Sequence, residues 1–218
     1  MVCLCKRGRD LRLNLNQENE KLVADIQKSF LSLLKEHLPK NLLNKVKDKQ
    51  TIKILSIGCG RFREAKCLFE YFSGYENQIK LYGIEIQKDL LDLANQDPII
   101  KEKSDSIFLK LDDATLPENY QEWLSNGKFD LLIVRHPEIT FNTDIFIKIF
   151  STCTNLLKKE GYILTTTHFE NEKEAFIMLL KLVKFKLLTC VENKNSPVVK
   201  KANETLYSDR FLLISSID

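Results

Sequence analysis

The fold is decided by the stretch Lys53-Ile54-Leu55-Ser56-Ile57-Gly58-Cys59-Gly60-Arg61-Phe62-Arg63-Glu64-Ala65. It begins as an apolar run, breaks at Gly58 and Gly60, and continues into a segment of helical character. Glycine lets a ligand come close to the backbone, and the N-terminus of a helix offers unpaired N–H groups. A strand, a tight turn and a helix in this order therefore predict a pocket for a polar ligand. The alternative is an ordinary α/β turn that binds nothing.

Apolar runs and helical stripes alternate after this stretch. We expect strands at 51–57, 78–86, 107–111, 129–134, 162–167, 185–193 and 209–216. We expect helices at 61–72, 89–95, 120–125, 144–157 and 171–183, and Gly161 is expected to mark a helix end. Such alternation predicts an α/β fold with a seven-stranded, mostly parallel sheet and helices on both faces. The last two strands have no helix between them, which predicts an antiparallel hairpin at the C-terminal edge, with an exposed connection at 195–206.

The first 49 residues predict a helical extension before an α/β domain of residues 50–218. Residues 1–13 are basic, and residues 14–38 carry apolar side chains at steps of three and four, which is typical of an amphipathic helix. The apolar stripe is expected to cover one face of the sheet. A lid over a ligand is the alternative.

The charge balance favours no strongly charged partner. The chain has 33 basic and 30 acidic residues and a net charge of +3, so no large field attracts nucleic acid or lipid headgroups over distance. The charge gives no strong signal for nucleic acid, and we expect no membrane partner. The six cysteines lack metal-binding spacing, and no apolar run reaches the length of a membrane span. We therefore expect a cytoplasmic protein without a metal site.

Two acidic residues stand at the ends of neighbouring predicted strands. Glu85 ends the second strand, and an ionised carboxylate there can accept bonds from both hydroxyls of a ribose. Asp113 follows the third strand and can accept a bond from the exocyclic amine of adenine. Ligands of open α/β sheets bind at the carboxyl ends of the strands. The pair therefore predicts an adenosine site.

Five segments in this order resemble the class I S-adenosylmethionine-dependent methyltransferase family, over roughly residues 50–218. They are Ile54-Leu55-Ser56-Ile57-Gly58-Cys59-Gly60, Leu81-Tyr82-Gly83-Ile84-Glu85-Ile86, Phe108-Leu109-Lys110-Leu111-Asp112-Asp113-Ala114, Phe129-Asp130-Leu131-Leu132-Ile133-Val134 and Leu156-Leu157-Lys158-Lys159-Glu160-Gly161-Tyr162-Ile163-Leu164. The resemblance implies a Rossmann-like fold, a methyltransferase activity and S-adenosylmethionine as cofactor.

The resemblance also implies which residues bind the cofactor. The glycine turn would pack against its methionine part, Glu85 would hold the ribose, Asp113 and Ala114 would frame the adenine, and Arg135 would pass close to the methionine end. The implied cofactor-binding residues are Ser56, Gly58, Cys59, Gly60, Glu85, Ile86, Asp112, Asp113, Ala114 and Arg135. Two positions depart from the family: Ser56 stands where an acid is usual, and Phe62 where a third glycine is common.

His136 is the predicted catalytic base. It leaves the end of the fourth strand, and an imidazole changes its charge near neutral pH. Glu138 is the second catalytic candidate, and Pro137 between them is expected to restrict His136 to extended conformations. The alternative is that both side chains only hydrogen-bond the loop backbone. His168 is expected in a solvated loop rather than in the acceptor pocket.

A small molecule is the expected methyl acceptor. The fourth strand ends in Arg135-His136-Pro137-Glu138, not in the Asn-Pro-Pro-aromatic pattern associated with nitrogen methylation of nucleic acids and some proteins. Two other functions stay open. A nicotinamide-dependent oxidoreductase would need a third glycine at the position of Arg63. An inactive methyltransferase-like module that binds a partner protein would fit the departures at Ser56 and Phe62.

Overall fold

The computed structural model describes residues 20–201 and 204–217. The basic segment 1–13 and the expected start of the first helix at residue 14 lie outside the described residues. The helices are α1 (Glu20–His37), α2 (Lys40–Lys47), α3 (Glu64–Tyr71), α4 (Lys88–Ala94), α5 (Pro98–Glu102), α6 (Gln121–Leu124), α7 (Thr143–Leu156) and α8 (Glu170–Leu182). The strands are β1 (Ile52–Ile57), β2 (Ile79–Glu85), β3 (Ile107–Leu111), β4 (Phe129–Arg135), β5 (Leu157–Thr167), β6 (Phe185–Glu192), β7 (Val198–Lys201), β8 (Glu204–Tyr207) and β9 (Phe211–Ile217).

Seven of these strands form one mixed sheet in the order β3-β2-β1-β4-β5-β9-β6. The pairs among the first five of them are parallel, whereas β9 is antiparallel to both β5 and β6. The expected mostly parallel sheet with an antiparallel C-terminal pair is therefore confirmed, and β6 is the strand at the edge. The connection expected at 195–206 contains the small antiparallel pair β7–β8.

The interpretation of Gly161 as a helix end is wrong. Strand β5 begins at Leu157, directly after α7, and runs through Gly161. A Cβ atom on Gly161 would lie 2.6 Å from Leu157 Cδ1, so the glycine is needed for close packing. The pairing of β5 with β4 is irregular at this point, between Phe129 and Leu131.

Strand β1 is buried on both faces because helices cover both sides of the sheet. Ile54 belongs to one hydrophobic cluster and Leu55 to the other. The apolar stripe of α1, which includes Phe30 and Leu34, packs into the cluster of Ile54. The stripe thus covers one face of the sheet, as expected, while a domain boundary near residue 50 stays a prediction. Each helix in the described part of the chain is too short or too polar to cross a membrane.

A buried carboxylate anchors the opposite end of the sheet from the glycine turn. Asp130 in β4 is fully buried and accepts a hydrogen bond from the backbone N–H of Lys53 at 3.0 Å. Its oxygens also lie 3.0 Å from Lys45 Nζ and 2.8 Å from Lys158 Nζ. Asp130 therefore ties α2, β1 and β5 to β4.

We expect Asp130→Asn to lower the free energy of unfolding by about 1–3 kcal/mol, because two ammonium groups lose a buried counter-charge. Urea unfolding measures the change. Glu192→Gln is the matched control, since its ion pair with Arg210 at 3.0 Å is exposed and should contribute less than about 1 kcal/mol. A loss for Asp130→Asn as small as that of the control would contradict the anchoring role.

Candidate active site

A cleft lies at the carboxyl ends of the central parallel strands. It contains about 760 Å³ of space between protein atoms, its open mouth included. It is lined by Ile57, Gly58, Ile84, Glu85, Ile86, Asp112, Asp113, Ala114, Thr115, Val134, Arg135, His136, Pro137, Ile145, Phe146 and Ile149. Eight of the residues predicted for the site lie together here: Gly58, Glu85, Ile86, Asp112, Asp113, Ala114, Arg135 and His136.

The glycine turn between β1 and α3 exposes its backbone to the cleft. Gly58 and Gly60 have φ angles of 64° and 55°, in the left-handed region that glycine adopts without strain. The N–H of Gly58 donates to the carbonyl of Ile84 at 2.9 Å, which fixes the turn beside β2. Apart from Gly58 itself and its two chain neighbours, no atom of the described residues lies within 4 Å of the place that a Cβ of Gly58 would occupy. The turn is therefore open to a ligand.

Glu85 joins the glycine turn to the end of β2. One carboxylate oxygen accepts the N–H of Gly60 at 2.7 Å, and the other accepts the N–H groups of Ile86 and Gln87, each at 2.9 Å. These bonds hold the carboxylate in one orientation at the cleft. The side chain of Ile86 beside it is an exposed apolar surface, with 44% of the residue accessible.

The segment Asp112-Asp113-Ala114 holds its shape through its own hydrogen bonds. Asp112 Oδ1 accepts the side-chain amide of Asn119 at 2.6 Å, and Asp113 Oδ1 accepts the N–H of Thr115 at 2.8 Å. The hydroxyl of Tyr120 donates to the carbonyl of Ala114 at 2.9 Å. The loop after β3 therefore presents half-buried Asp113 and Ala114 at the same cleft as Glu85.

Four other predicted residues lie outside the lining of the cleft. Ser56 is buried and its hydroxyl hydrogen-bonds the carboxylate of Glu64. Cys59 packs against Gly83. A Cβ atom added to Gly83 would lie 2.9 Å from Sγ of Cys59. The N–H of Gly60 donates to the carboxylate of Glu85, and the carbonyl of Glu138 accepts the N–H groups of Phe141 and Asn142, just before α7. Their functional roles stay predictions.

Arg135 is held between two buried carboxylates. Its Nε and Nη2 donate to Asp209 at 3.1 and 2.6 Å, and its Nη1 lies 3.7 Å from Glu64. Burial alone would lower the pKa of Arg135, but the two carboxylates raise it above its ordinary value. The guanidinium also stacks on Phe30 of α1, 4.3 Å from the ring centre. Arg135 lines the cleft, and its charged guanidinium is held in place by Asp209, Glu64 and Phe30.

His136 has a left-handed backbone with φ of 52°, so the expectation of an extended conformation is wrong. Its N–H donates to the carbonyl of Thr166 in β5 at 2.8 Å, which stabilises this unusual geometry for a residue before proline. The imidazole lies with Nε2 2.9 Å from Asp209 Oδ1. It stacks on the ring of His168, with 3.9 Å between ring centres and 18° between planes.

His168 lies in the short loop between β5 and α8, as expected, but it is half-buried there rather than fully solvated. Its Nδ1 lies 2.8 Å from the carbonyl of Tyr207, which can only accept, so Nδ1 carries the hydrogen. Burial and the neighbouring His136 lower the pKa of His168 to about 4. The ring is therefore neutral at physiological pH.

Sequence reasoning missed Glu64 and Asp209. Both are buried polar residues that touch Arg135. Asp209 precedes β9 in the chain. Because β9 is antiparallel to β5, the start of β9 lies beside the carboxyl ends of the parallel strands. The predicted antiparallel direction of the last strand was therefore the signal that could have placed Asp209 near the site. Within residues 20–201 and 204–217, no group of three or more histidine, cysteine or acidic residues is placed to hold a metal ion.

Solved structures with a similar fold are known. No protein-family model and no curated protein matches the chain. Among solved structures, TrmN from Thermus thermophilus has a TM-score of 0.53 at 14% identity, and the match covers 82% of this chain and 48% of TrmN, so the chain spans about half its length. An S-adenosylmethionine-dependent methyltransferase from Clostridium acetobutylicum ATCC 824 has a TM-score of 0.54 at 13% identity, and the match covers 94% of this chain and 95% of that protein. PH0226 protein from Pyrococcus horikoshii OT3 has a TM-score of 0.57 at 15% identity, and the match covers 87% of this chain and 91% of PH0226.

At such identities the likeness shows the fold alone. The chain has the Rossmann-like α/β fold found in S-adenosylmethionine-dependent methyltransferases, and the predicted fold class is confirmed. The activity has to be argued from the cleft.

The low pKa of His168 predicts a pH dependence of stability. The unfolded chain, with an ordinary histidine pKa of about 6.5, binds a proton between pH 6.5 and 4 that the folded chain does not. The free energy of unfolding should therefore fall as the pH falls through this range. We expect the wild type to lose about 1–2 kcal/mol more than His168→Gln between pH 7 and pH 4, less than the full 1.36 kcal/mol per pKa unit because the ring is only half-buried.

Urea unfolding at several pH values measures this difference in slope. Met178→Gln is the control, because Met178 is 71% exposed on α8 and the change adds no titratable group. The control should follow the wild type. Parallel slopes for wild type and His168→Gln would contradict the assignment of a neutral, half-buried imidazole.

Proposed function

We propose that the chain is an S-adenosylmethionine-dependent methyltransferase. The observation that carries the proposal is the convergence of Glu85, Asp113 and the open backbone of Gly58 on one cleft. A carboxylate beside a second carboxylate suits a nucleoside, since one can accept ribose hydroxyls and the other an exocyclic amine. The fold supports the same conclusion.

The residues of the cleft fit the cofactor. Glu85 would hold the ribose, Asp113 and Ala114 would frame the adenine, and exposed Ile86 offers an apolar contact to the purine. Arg135 and the glycine turn would contact the methionine end. When bound, S-adenosylmethionine supplies a methyl group that is already activated by its positively charged sulfur. The chain's residues then mainly bind and orient the reactants, an effect that can contribute about 7–11 kcal/mol.

We propose a small-molecule acceptor and in-line displacement. The 33 basic residues are nearly balanced by 30 acidic residues. The resulting net charge of +3 supports no long-range attraction of nucleic acid. His136 lines the cleft beside Arg135 and is the proposed base. Glu138 is the second candidate, from the loop that follows. A cytoplasmic location remains part of this proposal.

Calorimetric titration with S-adenosylmethionine, S-adenosylhomocysteine and NAD⁺ tests the proposal. We expect both adenosyl compounds to bind one per chain and NAD⁺ not to bind. Binding of NAD⁺ alone would instead favour an oxidoreductase. Binding of none of the three would favour a module that keeps the fold without the activity.

Gly58→Ala should weaken S-adenosylhomocysteine binding by at least about tenfold, because the new Cβ enters the space open to the ligand. The left-handed φ should also cost about 1–2 kcal/mol of stability. Gly127→Ala is the matched control: it has a φ of 89° and open space around it, but lies in the turn before β4. We expect a similar loss of stability with wild-type binding, and equal affinities of the two variants would contradict the placement of the ligand.

His136→Ala should keep S-adenosylhomocysteine affinity and slow turnover by roughly 10²–10⁴-fold, the range of general-base catalysis. Turnover is measured as release of S-adenosylhomocysteine with an acceptor found by screening metabolites against the wild type. His37→Ala, at the far end of α1, controls for a surface histidine change. Wild-type turnover of His136→Ala would leave the histidine with a role in the loop backbone alone.

A further inference from the structure

Asp209 is a buried carboxylate with several polar partners near the cleft. It is fully buried in the turn between β8 and β9 and has a left-handed φ of 51°. Its Oδ1 accepts the hydroxyl of Thr166 at 2.6 Å and Nε of Arg135 at 3.1 Å, and it lies 2.9 Å from Nε2 of His136. Its Oδ2 accepts Nη2 of Arg135 at 2.6 Å.

The charge of Asp209 decides the hydrogen position on His136. Burial alone would raise the pKa of Asp209, but Arg135 and His136 hold it well below its ordinary value. An ionised carboxylate only accepts hydrogen bonds, so Nε2 of His136 has to donate. The backbone N–H of Asp209 also approaches Nε2, but at 3.2 Å. The shorter, charge-assisted contact is the stronger of the two.

We propose that Asp209 is a positioning residue that holds His136 with its hydrogen on Nε2, so that Nδ1 receives a proton from the acceptor. This inference rests on the proposed methyl transfer and names its acceptor class: a hydroxyl or thiol. The methyl group would leave the cofactor's sulfur, which keeps the electrons of the broken S–CH3 bond and becomes the neutral thioether of S-adenosylhomocysteine, and would form a new bond to the acceptor's oxygen or sulfur. The acceptor's O–H or S–H bond breaks, and its proton forms an N–H bond at Nδ1 of His136. The resulting imidazolium lies against the Asp209 carboxylate.

The groups around His136 suit a positive charge on this ring. Asp209 faces it from the turn before β9, and Arg135 precedes it in β4 with its own charge compensated by Asp209 and Glu64. His168 stacks on it from the end of β5 and stays neutral, because its pKa is lowered to about 4. Glu172 of α8 accepts the N–H of His168 at 3.0 Å and adds a further acidic group.

Nitrogen NMR of the imidazole rings tests the hydrogen position without any cofactor or acceptor. The His136 signals are assigned by their loss in His136→Gln. In the wild type at neutral pH we expect the hydrogen on Nε2 and an unprotonated Nδ1. A hydrogen on Nδ1 would overturn the proposal, whatever the variants do.

Asp209→Asn tests the source of the effect. Loss of a negative charge 2.9 Å from Nε2 should lower the titration midpoint of His136 by at least about one pH unit, since a nearby opposite charge shifts a pKa by roughly 1–3 units. Thr166→Val is the matched control: it removes one hydrogen bond to the same carboxylate but no charge, and should leave the midpoint in place. An unchanged midpoint in Asp209→Asn would overturn the proposal.

S-adenosylhomocysteine titration of the same variants separates this inference from the proposed function. The wild type and Thr166→Val should bind alike, since Thr166 is outside the lining of the cleft. If the wild type does not bind, the methyltransferase proposal fails independently of the NMR result. In the product from the screened acceptor, a methyl group on oxygen or sulfur agrees with the acceptor class, and one on nitrogen overturns it.

Discussion

The site depends on the reversed direction of β9. Four parallel strands end at the cleft, and an antiparallel neighbour starts where they end. The chain just before β9 therefore reaches the same edge as the end of β4. This is why Asp209 meets Arg135 and His136, although more than 70 residues separate them along the chain.

The carboxylates near Arg135 differ in their surroundings and so in the direction in which their pKa values shift. Asp209 has a guanidinium and an imidazole as direct partners, which keep it ionised. Glu64 is also buried, but it lies farther from Arg135, at 3.7 Å, and burial raises its pKa. Its hydrogen bond with Ser56 brings a carboxyl group next to the position where the resembled family has an acid. The departure at Ser56 therefore does not remove acidic character from this part of the structure.

The sequence predicted the features that are local or follow from strand order. The apolar run of β1, the turn at Gly58 and the acids after β2 and β3 all identify their place without knowledge of distant contacts. Features set by tertiary packing were not predictable in this way. Gly161 lies inside β5, where the absence of a Cβ leaves room for the side chain of Leu157, and half-buried His168 stacks on His136. The ion pair between Arg135 and Asp209 could be predicted only with knowledge of where β9 lies in the sheet.

Glu85 shows why binding and architecture are coupled in this cleft. Its carboxylate accepts three backbone N–H groups that belong to the glycine turn and to the segment leading into α4. The same bonds that shape the turn also aim the carboxylate at the cleft. A side chain used in this way is oriented before a ligand arrives, so less conformational entropy is lost on binding. A change at Glu85 therefore alters the turn together with the ligand contact, whereas Gly58 reports on the space for the ligand more directly.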